Sequence, residues 1–140
     1  FMDMTKQRIV IDAENAVLGR LASFTAKQAL LGKEVIIVNA EKTIVVGNKK
    51  NIIQIYERKR KLGGPSLHGP FFPTLSEKIL KRTIRGMLNY KEGKGKEAFK
   101  RIKTYRGVPL ELKEENKIKS GKGKKGISLE EISRLLRGGI

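Results

Sequence analysis

Val35-Ile36-Ile37-Val38 is the stretch that most narrows the choice of fold. Four consecutive β-branched apolar residues suit a strand, and a strand that is apolar on both alternating faces must be covered on both. That is the situation of a central strand in a parallel sheet, where each neighbour is reached through a crossover. The chain supplies one. Arg8-Ile9-Val10-Ile11-Asp12 reads as a buried strand. Ala16 to Leu31 then repeats with helical period, with Val17, Leu21, Phe24, Gln28 and Leu31 along one side, Arg20, Ser23 and Lys27 opposite, and a stop at Gly32. Strand, helix, strand is a βαβ unit and sets the class as α/β.

Downstream, Thr43-Ile44-Val45-Val46 reads as a third strand after a tight link. Asn48 to about Leu62 is a helix burying Ile52, Ile53, Ile55 and Tyr56 and closing in Arg58-Lys59-Arg60-Lys61, a run that either contacts phosphate or is simply a solvated end. The loop Gly63 to Pro73 holds the only histidine, His68, and Phe71-Phe72, which anchor the loop in the core or stack on a base; the core is favoured. Thr74 and Glu77 have capping-box spacing and open a helix over Leu75 to about Tyr90. A glycine-lysine turn, Lys91 to Lys96, leads to a short helix, Glu97 to Arg101, and a candidate fourth strand, Ile102 to Tyr105. Leu110 to Lys119 has no clear period, and a basic low-complexity segment within about 113–126 is expected to be flexible. Ser128 and Glu131 form a second capping box, opening a terminal helix at about 128–137. A chain of 140 residues holds one domain with a real core, so residues 1–140 are expected to be a single α/β domain.

Charge bounds the partner. Lysine and arginine number 31 against 14 aspartates and glutamates, a net charge of +17 with pI ≈ 10.3. Phe1 to Gly47 carries 6 basic and 5 acidic residues, whereas Asn48 to Lys125 carries 23 and 7. A field of this kind favours a polyanion through phosphate neutralisation and counterion release. No apolar run reaches membrane-spanning length and no signal-peptide pattern occurs. Without cysteine there is neither a disulfide framework nor thiol chemistry, so a soluble intracellular protein is expected.

The basic excess has its sharpest pattern on the Leu75–Tyr90 helix. Lys78, Lys81, Arg82 and Arg85 fall at i, i+3, i+4 and i+7, while Ile79, Leu80, Thr83, Ile84 and Met87 gather on the other side. Solvated helix faces mix charges, because like charges at i,i+4 are destabilising. Here only Glu77 interrupts the positives, so the stripe calls for an external anion. Gly86, beside Arg82 at the border of the two faces, costs the helix about 1 kcal/mol. Close approach by RNA or by a neighbouring backbone would explain it.

Nothing in the chain assembles into a catalytic or metal site. Gly121, Gly123 and Gly126 satisfy G-x-G-x-x-G without a preceding strand, and the near match to a P-loop has Ile127 where the lysine belongs. Asp12, Glu14, Glu34 and Glu41 have no histidine or cysteine beside them and are read as pairing with local lysines. His68 has no second ligand with which to share a metal. No cofactor, metal, membrane or small-molecule substrate is expected.

Several blocks together resemble the family of the universal large-subunit ribosomal protein number thirteen, in its archaeal or eukaryotic form. Gly19-Arg20-Leu21-Ala22-Ser23, Ala26-Lys27, Leu30-Leu31-Gly32 and Val38-Asn39-Ala40-Glu41 are similar to its amino-terminal half. Gly69-Pro70-Phe71-Phe72-Pro73, Arg82-Thr83-Ile84-Arg85-Gly86-Met87-Leu88, Gly95-Lys96 and Ile102-Lys103-Thr104-Tyr105-Arg106-Gly107 are similar to its central signature. The resemblance spans about residues 8–110 and, more loosely, the last helix. Asn89 stands where the family has proline, which would let the preceding helix run longer, and Thr104 where it prefers an apolar residue.

The resemblance implies a three-layer α/β/α fold on a small, mostly parallel four-stranded sheet, with basic loops and a short C-terminal helix. It also implies a non-enzymatic constituent of the cytoplasmic large ribosomal subunit, in contact with its RNA and with neighbouring ribosomal proteins. The expected RNA contacts are Arg20 and Lys27; Arg58, Lys59, Arg60 and Lys61; His68; Lys78, Lys81, Arg82, Arg85 and Gly86; Lys91, Lys94, Lys96, Lys100 and Arg101; and Lys122, Lys124 and Lys125 as an arm that orders on RNA. The alternatives are a regulatory RNA- or DNA-binding module off the ribosome and a nucleotide-binding α/β enzyme.

Overall fold

Two strands, β1 (Arg8–Asp12) and β2 (Glu34–Val38), run parallel, with Arg8 opposite Glu34 and Asp12 opposite Val38. The computed structural model describes residues 7–61, 73–89, 93–113, 117–119 and 126–137. His68, Lys91, Lys122, Lys124, Lys125, Phe71-Phe72 and the side chains of Arg60 and Lys61 lie outside the described residues. The crossover between β1 and β2 is α1 (Leu18–Leu30). It stops where the glycine predicts: Gly32 takes φ +97°, its N–H bonds the Ala29 carbonyl at 3.0 Å, and Lys33 N–H bonds the Gln28 carbonyl at 3.2 Å. That is a Schellman ending, which satisfies carbonyls the last turn would otherwise leave open.

The sheet has the order β4-β2-β1-β5, with β4 at Ile102–Thr104 and β5 at Ile118–Lys119, and all three pairings are parallel. Strands alternate as the continuous apolar run requires. Ile11, Val35 and Ile37 belong to the main core, whereas Val10, Ile36 and Val38 point to a second cluster with Leu112 and Val108. Handedness explains which face receives which cover. The steps β1 to β2 and β2 to β4 go the same way, so right-handed crossovers place their helices on one face. These are α1, α3 (Ser76–Met87) and α4 (Gly93–Lys100), whose buried residues share the main core. The step from β4 to β5 runs back across the sheet, so its connection covers the other face. Among the described residues, that third layer is a single 3-10 turn, Leu110–Leu112.

The third strand departs from expectation. β3 (Ile44–Val46) is not in the parallel sheet and pairs antiparallel with β6 (Gly126–Ser128). Val38 and Ile44 are separated by a left-handed Asn39, φ +57°, and a 3-10 turn at Ala40–Lys42, a link too short for a parallel crossover. Both edges of β2 are already taken by β1 and β4, so the chain leaves the sheet. The fourth sheet strand is instead supplied by Ile118–Lys119, inside the stretch 113–126.

Helix faces and ends need further corrections. On α1 the buried stripe is Leu18, Leu21, Ala22, Thr25, Ala26 and Ala29, and Phe24 and Leu31 face outward. Small alanines let α1 approach α3 and α4 closely, which outweighs the larger residues one step round the wheel. On α2 (Lys49–Lys61), which packs on α5 (Leu129–Arg137) and β6, Ile52 and Tyr56 are buried while Ile55 is exposed. Asn48 caps it by accepting from Lys50 N–H at 2.9 Å. The Thr74/Glu77 capping box does not form: Leu75 is the N-cap, without a side-chain bond. The Ser128 hydroxyl does accept from Glu131 N–H, at 3.2 Å. Nor does Asn89 prolong α3. Leu88 turns extended and buries its side chain, and the helix ends at Met87, which is exposed.

Residues 93–96, expected as a turn, form the first half of α4. The reason is close packing, because Gly95 lies against the Asn89 backbone and a Cβ there would fall on the Asn89 carbonyl. Carboxylates tie the strand exits to amides and not, as expected, to lysines. Asp12 accepts from Glu14 N–H at 3.0 Å and Asn39 Nδ2 at 2.9 Å, and Glu41 accepts from Gly107 N–H at 2.9 Å. Of the four expected carboxylates, Glu14 is the one paired with a lysine among the described residues, Lys42 at 3.5 Å.

Two helical glycines should therefore respond oppositely to the same substitution. Gly95→Ala overpacks the α3–α4 junction and lowers unfolding free energy by about 1–3 kcal/mol. Gly86→Ala, where a Cβ meets nothing within 4 Å, raises it by about 0.5–1 kcal/mol. Urea denaturation midpoints at constant m-value check both.

Candidate nucleic-acid interface

α3 is anchored by Ile79, Leu80 and Ile84, all fully buried, and by Ser76 in its first turn. Those positions fix the helix by rotation, so the opposite arc must carry Lys78, Lys81, Arg82 and Arg85 outward. Thr83, between the two arcs, turns its hydroxyl to the Ile79 carbonyl at 3.0 Å. A bond from the Thr104 hydroxyl to the Glu77 carbonyl, 2.9 Å, ties the first turn of α3 to edge strand β4. The polar residue in the strand is thus accounted for by a partner.

Lys78 is exposed, while Lys81, Arg82 and Arg85 are half-buried. All four line one open hollow of about 210 Å³ together with Pro73 and Phe99. Lys81 Nζ stands 5.1 Å above the Phe99 ring centroid, within cation–π range. Burial, and then the charge of Lys103 nearby, push the Lys81 ammonium below the ordinary lysine range. Neither cause is relieved within this pair of lysines, and an anion in the hollow would oppose both. Lys103 was not singled out from sequence. Its signal was the alternation of Ile102, Lys103 and Thr104, which turns the lysine outward on an edge strand beside α3. Phe99 was missed too, because one aromatic in a short helix has no pattern to betray it.

A second hollow, of about 440 Å³, opens where α4 meets the end of α1 and gathers Lys94, Lys96 and Arg101 with Leu30, Leu31, Gly32, Gly93 and Glu97. Arg101 is committed here structurally, its Nη1 donating to the Ala29 carbonyl at 2.9 Å, where it complements the negative end of the α1 dipole. Lys100 pairs with Glu97 at 3.7 Å, an exposed i,i+3 contact. The structure thus brings the α3 cations together, and groups Lys94, Lys96 and Arg101 separately.

Arg20 and Lys27 are exposed on α1. Arg58 and Lys59 sit on α2, which packs on α5 and β6. Lys59 Nζ lies 5.1 Å over the ring of Tyr56, whose hydroxyl is shifted above the usual phenol range by burial. Gly86 is exposed, and apart from its chain neighbours and the surrounding backbone of α3 no described atom lies within 4 Å of a Cβ built on it. Of its two sequence readings, close approach by a neighbouring backbone has no such backbone among the described residues.

Other ion pairs lie elsewhere. Lys49–Glu131 at 3.3 Å joins α2 to α5, and Arg106–Glu130 at 3.0 Å joins the loop after β4 to α5. Among the described residues no helix is long and apolar enough to cross a membrane.

Comparison with known proteins agrees with the blocks quoted from the sequence. The family described as Ribosomal protein L13 matches residues 6–111. The large ribosomal subunit protein uL13 of Methanocaldococcus jannaschii is 49% identical over 131 residues, covering 91% of this chain and 96% of its own. The protein of the same name from Methanosarcina barkeri is 49% identical over 110 residues, 78% of each chain, and that from Archaeoglobus fulgidus 42% over 135 residues, 91% of this chain and 86% of its own. With a family match over most of its length and near-half identity to full-length archaeal relatives, this chain belongs to the ribosomal protein L13 family.

Proposed function

We propose that the chain is a structural constituent of the large ribosomal subunit in the cytoplasm, binding and stabilising folded ribosomal RNA through phosphate contacts, next to other ribosomal proteins. Family membership supports the ribosomal role, and one observation carries the RNA-binding surface: four cations of α3 converge on a single hollow, with Lys103 adding a fifth charge nearby. Self-repelling charge held at fixed positions is stabilised by an external anion, and a phosphate backbone supplies anions at regular spacing. Arginines at 82 and 85 can take phosphate oxygens bidentately, while Lys78 and Lys81 act as point charges.

Arg20 and Lys27 on α1, Arg58, Lys59, Arg60 and Lys61 on α2, and Lys94, Lys96 and Lys100 on α4 extend the contact beyond the central hollow. His68, Lys91, Lys122, Lys124 and Lys125 are assigned to it from sequence alone. Arg101 contributes chiefly by holding α1 against β4. The reading assigns no reaction to the chain.

Two outcomes follow. Replacing Arg82→Glu with Arg85→Glu lowers affinity for large-subunit RNA about 100-fold or more and shallows the slope of log K against log salt by about 2. Unchanged binding by filter assay across a salt series, in a variant with native unfolding behaviour, removes α3 from the interface. Gly86→Leu should spare folding and weaken RNA binding, since the site is open toward solvent. A variant that loses stability in urea while keeping its RNA affinity would assign the glycine to packing instead.

A further inference from the structure

The hollow between α3 and α4 has a mixed character that phosphate contacts alone leave unexplained. Its rim is four cations, but it is also lined by the Phe99 ring and Pro73. A bare phosphate gains nothing from such a surface, because the face of an aromatic ring carries the negative side of its quadrupole. The N–H groups of α3 are used inside the helix beyond its first turn, so among the described residues α3 offers the hollow no ring of backbone donors of the kind a phosphate cradle has. A nucleotide satisfies both halves. Its base has a π-face to lay on an aromatic ring, and its phosphates reach the cations around the rim.

We propose that this hollow seats one unstacked nucleotide of the bound RNA, its base against Phe99 and its flanking phosphates on Lys78, Arg82 and Arg85. The inference rests on the RNA-binding reading above and adds the substrate feature that the basic stripe recognises. Lys81 is the residue that makes room. Its ammonium covers the ring at 5.1 Å in the free protein. Burial and Lys103 both disfavour that charge where it stands, so a phosphate at the rim draws it off the ring and exposes the face to the base. The seat is also preformed, because Gly95 against the Asn89 backbone fixes α4, and with it Phe99, relative to the end of α3.

The experiment uses the full chain and two probes of equal charge, a short single-stranded oligouridylate and an inorganic polyphosphate. Titration followed by aromatic NMR should shift the Phe99 ring protons further with oligouridylate, which adds the ring current of a stacked base, than with polyphosphate, which only draws Lys81 away. Phe99→Leu, which keeps an apolar side chain of similar reach but removes the π-face, should lower oligouridylate affinity about tenfold and leave polyphosphate affinity unchanged. Phe99→Tyr, which restores the face, should bind like the parent. Equal affinities of Phe99→Leu and parent for oligouridylate overturn the nucleotide seat, as does an equal loss for both probes. The charge-reversed Arg82→Glu/Arg85→Glu variant separates the two levels of argument. If it weakens both probes while Phe99→Leu weakens neither, only the seat falls; if it weakens neither, the assignment of α3 to the RNA interface falls with it.

Discussion

A strand that is apolar on both faces must be covered twice, and β2 imposes that condition on everything around it. Val35 and Ile37 face one side and Ile36 and Val38 the other, all buried. Because the neighbours are parallel, each is reached by a crossover, and the right-handed rule then decides which side each connection covers. α1, α3 and α4 fall on the first face, in one core with buried residues of α2 and α5. The return to β5 falls on the second, where Leu112 and Val108 complete a smaller cluster. Once α1 has laid its alanine stripe close to the sheet and to its neighbours, α3 has one way to sit, with its isoleucines inward.

That placement explains how a repulsive stripe is tolerated. Like charges at i,i+4 cost a few tenths of a kcal/mol per pair. Burial of Ile79, Leu80 and Ile84 contributes about 1.5–3 kcal/mol each. The core therefore outweighs the repulsion several-fold and holds the cations at fixed positions before any ligand arrives. A flexible basic arm has the same charge but must be ordered on binding, at an entropic cost that a packed helix has already met in folding.

Legibility in the sequence followed the strength of the local signal. The two-faced run at 35–38, the helix stop at Gly32 and the split of α3 into two faces are set by residues adjacent in the chain or one turn apart, and the structure has them as read except for Met87, which leaves the apolar face for solvent. The features that were misread are set by distant partners. Ile44–Val46 looked like a sheet strand because its residues are right for one, but its pairing depends on Gly126–Ser128, where a Cβ on Gly126 would strike the Val45 carbonyl. Gly93–Lys96 looked like a turn because glycine breaks helices in isolation, yet Gly95 is there to let α4 meet Asn89. On α1, two apolar stripes competed, and only the packing of neighbouring helices favours the alanine one. The candidate site divides the same way. The α3 stripe was visible as periodicity, whereas Phe99 joins it only through the α4 contacts and Lys103 acts on Lys81 through its charge alone.

The direction of the electric field is a consequence of where the acids went. Glu130 and Glu131 on α5 are paired with Arg106 and Lys49, and Glu14 with Lys42, so these carboxylates are spent on tying α5, α2 and the strand connections together. Glu77, the one acid of α3, sits in its first turn, where the helix dipole favours it, one carboxylate against Lys78, Lys81, Arg82 and Arg85. The first 47 residues are almost neutral and the excess charge is concentrated from Asn48 to Lys125, so the segment that holds α3 carries most of the attraction for a polyanion. Long-range attraction of this kind sets orientation during approach. On the proposed reading, the short-range features of the hollow, an aromatic face and two arginines at fixed spacing, act only after that orientation is reached, so charge would select the face and the hollow the register along the strand.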